Sequence, residues 1–352
     1  MFVRFLGGLL LLLALAWAVA YIAGTAVLRN AREKPWPYGL GSIDEMNVRH
    51  QIGDSSKEAY ELLDLAIPID PGDAAGNYLG LQIAKRDDAV DPLPADVAAF
   101  RDDERVARFE RLLLDRGERI RFGGDRFHPN LQRVSDVLAA LALDRARAGN
   151  TAAAWEHLRA VSILARALRE GRCWGGRRMA LLLVRQVNAV ARKLPPPAPP
   201  WVAGIAAVEP RPDIAATLQE EAAGSIAVLA FPGLEPLRDF KEASALNRPR
   251  KVAEAMASAP RCHSSGEDAD VYRAARIEEE LEATAKVMAL KAERARLGRW
   301  PAAPADGGAS RCADAHWEYR AAPDGSHVAL WISAELAPEP GAANAPALKF
   351  AY

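Results

Sequence analysis

The chain has 352 residues, with 45 Lys and Arg balanced by 46 Asp and Glu for a formal net charge of −1. Half of the residues are hydrophobic, so the length supports one or two domains, each with a core of its own. A balance this even argues against a nucleic-acid partner, which would need a clustered basic excess. Ala, Leu, Arg and Glu dominate, and these side chains lose little rotamer freedom in a helix, so a mainly α fold is expected.

The first segment, "FLGGLLLLLALAWAVAYIAGTAVL" (Phe5 to Leu28), holds no charged residue and follows Arg4. As a helix it would be about 36 Å long, enough for a hydrocarbon layer of about 30 Å. The lipid bilayer, met through residues 5–28, is therefore the first expected partner. A cleavable signal peptide is the rival reading, with "AVA" at 18–20 as a small-x-small site. The apolar run continues past that site to Leu28, beyond the usual length of a signal core, which favours a retained anchor. Arg29, Arg32 and Lys34 outnumber Arg4, and read alone they would hold the following domain in the cytoplasm. The order of basic tip, long apolar run and Ala-rich end favours export instead. The expected location is the inner membrane, single-pass, with most of the chain periplasmic.

"REKPWPYGLGS" (32–42) is punctuated by Pro and Gly and reads as a connector. A short helix follows at Ser56–Ala66, capped by Ser55 or Ser56, with Tyr60, Leu63 and Ala66 on its apolar side. Residues 70–94 are rich in turn formers, with one helical turn near Leu79–Ala84. From Pro94 the pattern is helix after helix. Val106, Phe109, Leu112 and Leu113 share a face, as do Leu131, Val134, Leu138 and Leu141. "ARAGNTAAAW" (146–155) is a tight turn, with Gly149 suited to the left-handed position and Asn150 or Thr151 to the next N-cap. Trp155, Leu158, Val161 and Leu164 continue the packing, making a hairpin like one tetratricopeptide unit, without the repetition an array requires. A further helix near Arg177–Lys193 turns Met179, Leu182, Leu183, Val187 and Val190 inward. "LPPPAPPW" (194–201) is a polyproline spacer, and helices are expected over 213–231 and Lys251–Ser258.

The last expected helix, Val271–Leu297, carries Ile277, Leu281, Ala285 and Met288 on one side and Glu282 with Lys286 as a supporting pair. Gly298 ends it by taking a left-handed conformation, Trp300 folds back onto its apolar face, and Pro301 blocks continuation. Two alternating segments, "HWEYR" and "HVALWI", flank Pro323-Asp324-Gly325 and read as a β-hairpin, with Trp317 and Tyr319 on a shared face. The expected organisation is an anchor at 1–30, a linker at 31–55, an α-helical domain at 56–260, and a C-terminal helix and β-hairpin module at 271–352.

Residues Gly298, Trp300, Pro301, Trp317, Tyr319, Arg320, Asp324 and Gly325 carry a resemblance. In them the tail resembles that of a loose set of uncharacterised, membrane-anchored bacterial proteins with a helical middle. It is also similar, locally, to the helix-to-loop passage of type II secretion pseudopilins, although no processing site precedes the apolar helix here. The resemblance implies a tethered envelope protein and brings no known activity.

For chemistry, no phosphate loop, His-Glu-x-x-His, Gly-x-Ser-x-Gly or Cys-x-x-Cys occurs in the sequence. Three cysteines are present. Cys262 and Cys312 flank the last long helix and form a candidate disulfide, with Cys173 left over, or all three remain thiols. Cys262, His263, Cys312 and His316 form the nearest metal constellation, but adjacent Cys-His pairs seldom point at one ion. Glu220 and Glu221 are the candidate buried carboxylates, paired with an arginine from 166–178, whereas Glu278, Glu279 and Glu280 read as a solvated helix face. "RCWGGRR" (172–178) is an anion-receptive patch or a basic hinge. No cofactor and no metal are expected, and no catalytic residue is assigned. The function expected is that of an interaction or assembly component with a protein partner. An envelope hydrolase with a non-standard acidic or metal site, or an accessory part of a pilus-like secretion system, is the alternative.

Overall fold

The computed structural model describes residues 2–51, 54–123, 129–171, 175–226, 235–259, 269–311, 315–333 and 349–352. In chain order the α-helices are α1 (Phe2–Glu33), α2 (Ile43–Gln51), α3 (Lys57–Ala66), α4 (Ala74–Lys85), α5 (Ala95–Ala98) and α6 (Glu104–Arg116). They continue with α7 (Asn130–Arg147), α8 (Thr151–Glu170), α9 (Gly176–Ala191), α10 (Trp201–Ala206), α11 (Pro210–Ile226), α12 (Glu235–Ser258) and α13 (Ala269–Leu297). Strands β1 (Trp317–Ala321), β2 (Val328–Ile332) and β3 (Lys349–Ala351) form an antiparallel sheet in that order. The fold is mainly α, with an apolar N-terminal helix and a small C-terminal sheet, as the composition predicts. The residues divide into two compact units, Met1–Gln51 with Ile214–Ser258, and Ile52–Asp213 with Ala259–Tyr352.

In the first unit, α1 is one unbroken helix. Every side chain from Leu11 to Val19 is exposed, and Gly24 and Ala31 are buried. The second half of α1 packs along α12. Thr25 Oγ1 donates to Asp239 at 3.2 Å, Arg250 donates to the Ala31 carbonyl at 3.4 Å, and Lys34 pairs with Glu254 at 3.3 Å. The expected connector is more ordered than its Pro and Gly content predicts. Trp36 is buried, its N–H donating to the Gly41 carbonyl at 2.9 Å, and α2 starts on a capping box. Ser42 N–H donates to Glu45 Oε2 at 2.8 Å and Glu45 N–H to Ser42 Oγ at 3.2 Å, satisfying two otherwise orphaned donors. The expected short helix at Lys251–Ser258 is the end of the 24-residue α12, which runs through Pro249.

In the second unit, α7, α8 and α9 pack side by side, and α3, α4 and α6 lie against them. The predicted stripes on α6, α7 and α8 are all buried. The α7–α8 hairpin closes as its sequence predicts. Gly149 has φ +79°, Asn150 N–H reaches the Arg145 carbonyl at 2.8 Å, and Asn150 Oδ1 accepts from Ala153 N–H at 3.2 Å. Ser56 caps α3 through Ala59 N–H at 3.1 Å, but the buried residues there are Ala59, Leu62 and Ala66, and Tyr60 is exposed. Leu182 of α9 also faces outward. The predicted helical turn at Leu79–Ala84 is part of the twelve-residue α4.

At the C-terminal end, Gly298 has φ +70° and its N–H donates to the Arg294 carbonyl at 2.9 Å. That closes α13 with a left-handed cap. Trp300 turns back and is 2% exposed, packed with Ala283, Val287 and Leu290 of α13 and with Trp317, Leu330 and Phe350 of the sheet. Of the predicted stripe of α13, Ile277 and Leu281 are buried as expected, but Ala285 is exposed and Met288 half-buried, while Ala283, Val287 and Leu290 face the sheet. Arg294 lies over the Trp300 ring, 4.6 Å from its centre, and Tyr319 donates its hydroxyl to the Pro301 carbonyl at 2.6 Å. β1 and β2 pair in the expected hairpin, Trp317 opposite Ile332 and Ala321 opposite Val328, and β3 adds a third strand.

Trp300 joins helix to sheet, so Trp300→Ala is expected to lower stability by about 3–5 kcal/mol. Urea unfolding of the full chain in detergent measures this; a loss under about 1 kcal/mol, the scale of a surface change, would contradict the packing role.

Candidate functional site

The sequence placed its candidate residues in three regions. Gly298, Trp300, Pro301, Trp317 and Tyr319 come together as the packing device just described. Glu220 and Glu221 lie on α11, where Glu220 is buried and Glu221 is exposed. Within 166–178, Arg169 pairs with the 4%-exposed Asp213 at 2.8 Å. Cys173, Cys262, Cys312 and His263 lie outside the described residues, and with them the candidate disulfide. His316 is exposed, its Nε2 2.7 Å from Glu318 and its Nδ1 2.9 Å from Ser333 Oγ. Among the described residues no group of three His, Cys, Asp or Glu side chains is placed to hold a metal ion.

Glu278, Glu279 and Glu280 correct the expectation of a solvated face. Glu278 receives both branches of the Arg211 guanidinium at 2.8 and 3.0 Å, and Glu280 receives Arg185 at 3.0 and 3.1 Å. Bidentate pairs of this kind are stronger than neutral hydrogen bonds and fix orientation. Glu279 is 2% exposed, with Arg276 Nη1 3.6 Å away. Burial, reinforced by the neighbouring Glu280 and Glu282, pushes its carboxyl from 4.5 up to about 8, against the opposing pull of Arg276. Nearly the whole circumference of α13 is covered here, and the arginines that cover it come from α9 and the first turn of α11.

Further along α13 the pattern is repeated with cations. Glu282 accepts from Ser310 Oγ and Arg311 N–H, while Lys286 donates to Asp306 and the Ala309 carbonyl. The predicted helical pair thus ties α13 to the 306–311 loop. Lys291 donates to Asp88 and to the Arg192 and Leu194 carbonyls, which follow the end of α9. Such carbonyls carry the negative end of the helix dipole and favour a cation. Lys193 donates to the Asp87 and Ala89 carbonyls and to Asp87 Oδ1. Burial lowers the pKa of both lysines, opposed by the nearby aspartates. Arg192, fully buried, donates to the Glu280 carbonyl and Thr284 Oγ1 and lies 5.0 Å from the centre of the Phe350 ring. Lys193 and Lys291, which line a hollow of about 550 Å³ together with Arg147 and Arg294, are thus engaged by protein groups.

A cleft in the second unit has a volume of about 940 Å³. It lies between the end of α6 with its following 3₁₀ turn (Gly117–Arg119), one face of α8, the start of α9, α10 and the first turn of α11. On α8, Arg159, Ser162, Ile163, Arg166, Arg169 and Glu170 follow helical spacing, so they share the face opposite Leu158, Val161 and Leu164. Trp201, Ile205 and Val208 supply an apolar wall, and Trp201 is held by an edge-on contact with Trp155, ring centres 6.0 Å apart. Six arginines and four carboxylates line the cleft, a local excess of two positive charges. Asp213 has its pKa raised by burial, with Arg169 and Arg177 pulling the other way. Arg177, from the 172–178 stretch read as an anion-receptive patch or a basic hinge, lines this cleft; the arginines of α8 were overlooked.

The buried Glu279 generates a pH dependence. Its folded pKa of about 8 exceeds the ordinary 4.5, so the folded state holds a proton that the unfolded chain releases. Stability contributed by this proton is complete below pH 4.5 and falls as pH rises toward 8, by up to about 1.4 kcal/mol per unit. Urea unfolding at pH 5, 6.5 and 8 is expected to show a smaller decline in Glu279→Gln than in the parent; equal slopes would contradict a buried, proton-holding Glu279.

Compared with protein-family models, curated proteins and solved structures, the chain matches none.

Proposed function

We propose that the protein is a membrane-tethered binding component of the bacterial envelope, held by α1, with most of the chain exported and acting by association rather than by catalysis. The observation that carries this reading is the apolar sleeve of α1. Its side chains from Leu11 to Val19 lie bare, an arrangement that costs free energy in water and is matched by lipid. Residues 2–22 as helix span about 31 Å, the thickness of the hydrocarbon layer. The carboxylate of Asp239 against Thr25 supports an end of lipid contact near Gly24, a few residues before the Leu28 expected from composition. Export is supported by the order of Arg4, long apolar run and Ala-rich end.

Association rather than turnover is supported by the groups in the cleft. Guanidinium groups stay protonated and cannot serve as general bases, but they bind anions well. One feature favours the alternative of an envelope hydrolase: Asp213, a carboxylate of raised pKa lining the cleft. Its ion pair with Arg169 supports a structural role for it.

The full chain is expected to stay with membranes through alkaline carbonate washing, and deletion of residues 2–22 to release it. A C-terminal alkaline phosphatase fusion is expected to be active, as an exported reporter is. Recovery of the full chain in the carbonate supernatant, a mature N-terminus at Tyr21, or an inactive fusion with an active cytoplasmic reporter at the same site would overturn the tethered, exported reading.

A further inference from the structure

The cleft of the second unit has a chemical bias that the tethering role does not use. Arg159 and Arg166 stand two helical turns apart on α8, and neither guanidinium has a hydrogen-bond or ion-pair partner among the described residues. Arg177, at the start of α9, lines the same space and interacts electrostatically with Asp213, already bound by Arg169. Asp115, Glu118 and Glu170 also line the cleft but leave the positive excess in place. Trp201, Ile205 and Val208 also line the cleft, with Ile163 near Arg166 on the α8 face. Ser162, between the two arginines, spends its hydroxyl on the Arg159 carbonyl at 2.7 Å, so the polar recognition falls to the guanidinium groups.

We propose that this cleft binds an amphipathic anion, its oxyanion head held by Arg166 and Arg177 with Arg159 adjoining, and its apolar body lying against Ile163, Trp201, Ile205 and Val208. Guanidinium forks match a phosphate or carboxylate edge in two parallel hydrogen bonds, and a head group neutralises the positive excess that the four lining carboxylates leave. The volume lies at the upper end of the range for small-ligand sites, and the lining sets ten charged side chains beside an apolar wall, a more polar lining than such sites usually have. An anion without an apolar body would leave the Trp201 wall wet, and an apolar molecule without an anion would leave the arginines unneutralised. Both parts are needed. A bilayer lipid and a soluble amphiphile share this chemistry.

The test uses the full chain in phosphatidylcholine nanodiscs, titrated calorimetrically with octyl phosphate against empty discs. The expected result is saturable binding of one octyl phosphate per chain, tighter by about tenfold or more than inorganic phosphate or octyl glucoside. Arg166→Gln and Arg177→Gln are each expected to weaken it by about tenfold while the melting temperature holds, because neither arginine carries an ion pair on which the fold depends. Discs containing phosphatidic acid separate the two sources: competition with octyl phosphate assigns the cleft to a bilayer lipid, and undiminished binding assigns it to a soluble amphiphile. No saturable binding, equal binding of octyl glucoside, or unchanged affinity in both variants would overturn the proposal, and none of these bears on whether α1 spans a bilayer.

Discussion

A helix that buries its charges must have each of them met, and α13 is such a helix. Glu278, Glu279, Glu280, Glu282, Lys286 and Lys291 are all largely covered. Ionised groups removed from water are tolerated only with partners of good geometry, and removing one partner costs far more than the pair contributes. Apart from Glu279, which meets Arg276 of its own helix, these buried charges therefore specify which element lies beside α13. Glu280 takes α9, Glu278 takes the first turn of α11, Lys291 takes the loop at Asp88 and the end of α9, and Glu282 with Lys286 takes the 306–311 loop. Apolar packing alone would allow neighbouring helices to slide; a bidentate pair does not.

The same pairs position the cleft. Arg211 and Asp213 are two residues apart on α11, so the hold of Glu278 on Arg211 also places Asp213, which in turn aims Arg169 of α8. Arg185 of α9, held by Glu280, lies next in sequence to Val184, a cleft residue on the helix that also presents Arg177. Arginines tied into these pairs are structural; Arg159 and Arg166, outside them, are available for a ligand.

What the sequence disclosed follows the range of the interactions. Gly149 with Asn150, Gly298 with Trp300 and Pro301, and the turn between β1 and β2 are local devices, and each is found where its residues predict. The Ser42-x-x-Glu45 capping box is equally local and was legible, but the Pro and Gly residues before it drew the segment into a linker. α12 shows no apolar periodicity and contains Pro249; it is stabilised by α1, which a local window does not contain. Glu278 and Glu280 looked solvated because Arg211 and Arg185 lie 67 and 95 residues away. β3, three residues long, is too short to show alternation. The arginine spacing on α8 was readable, but its meeting with Trp201 and Arg177 is a tertiary fact.

The most direct test of this account is a double-mutant cycle on Glu278 and Arg211, read by urea unfolding of Glu278→Gln, Arg211→Gln and the double variant. Residues that act as one buried pair are expected to couple by about 2 kcal/mol, the double variant losing much less than the two single losses combined. Losses that add to within about 0.5 kcal/mol would contradict the claim that the charges of α13 hold the walls of the cleft.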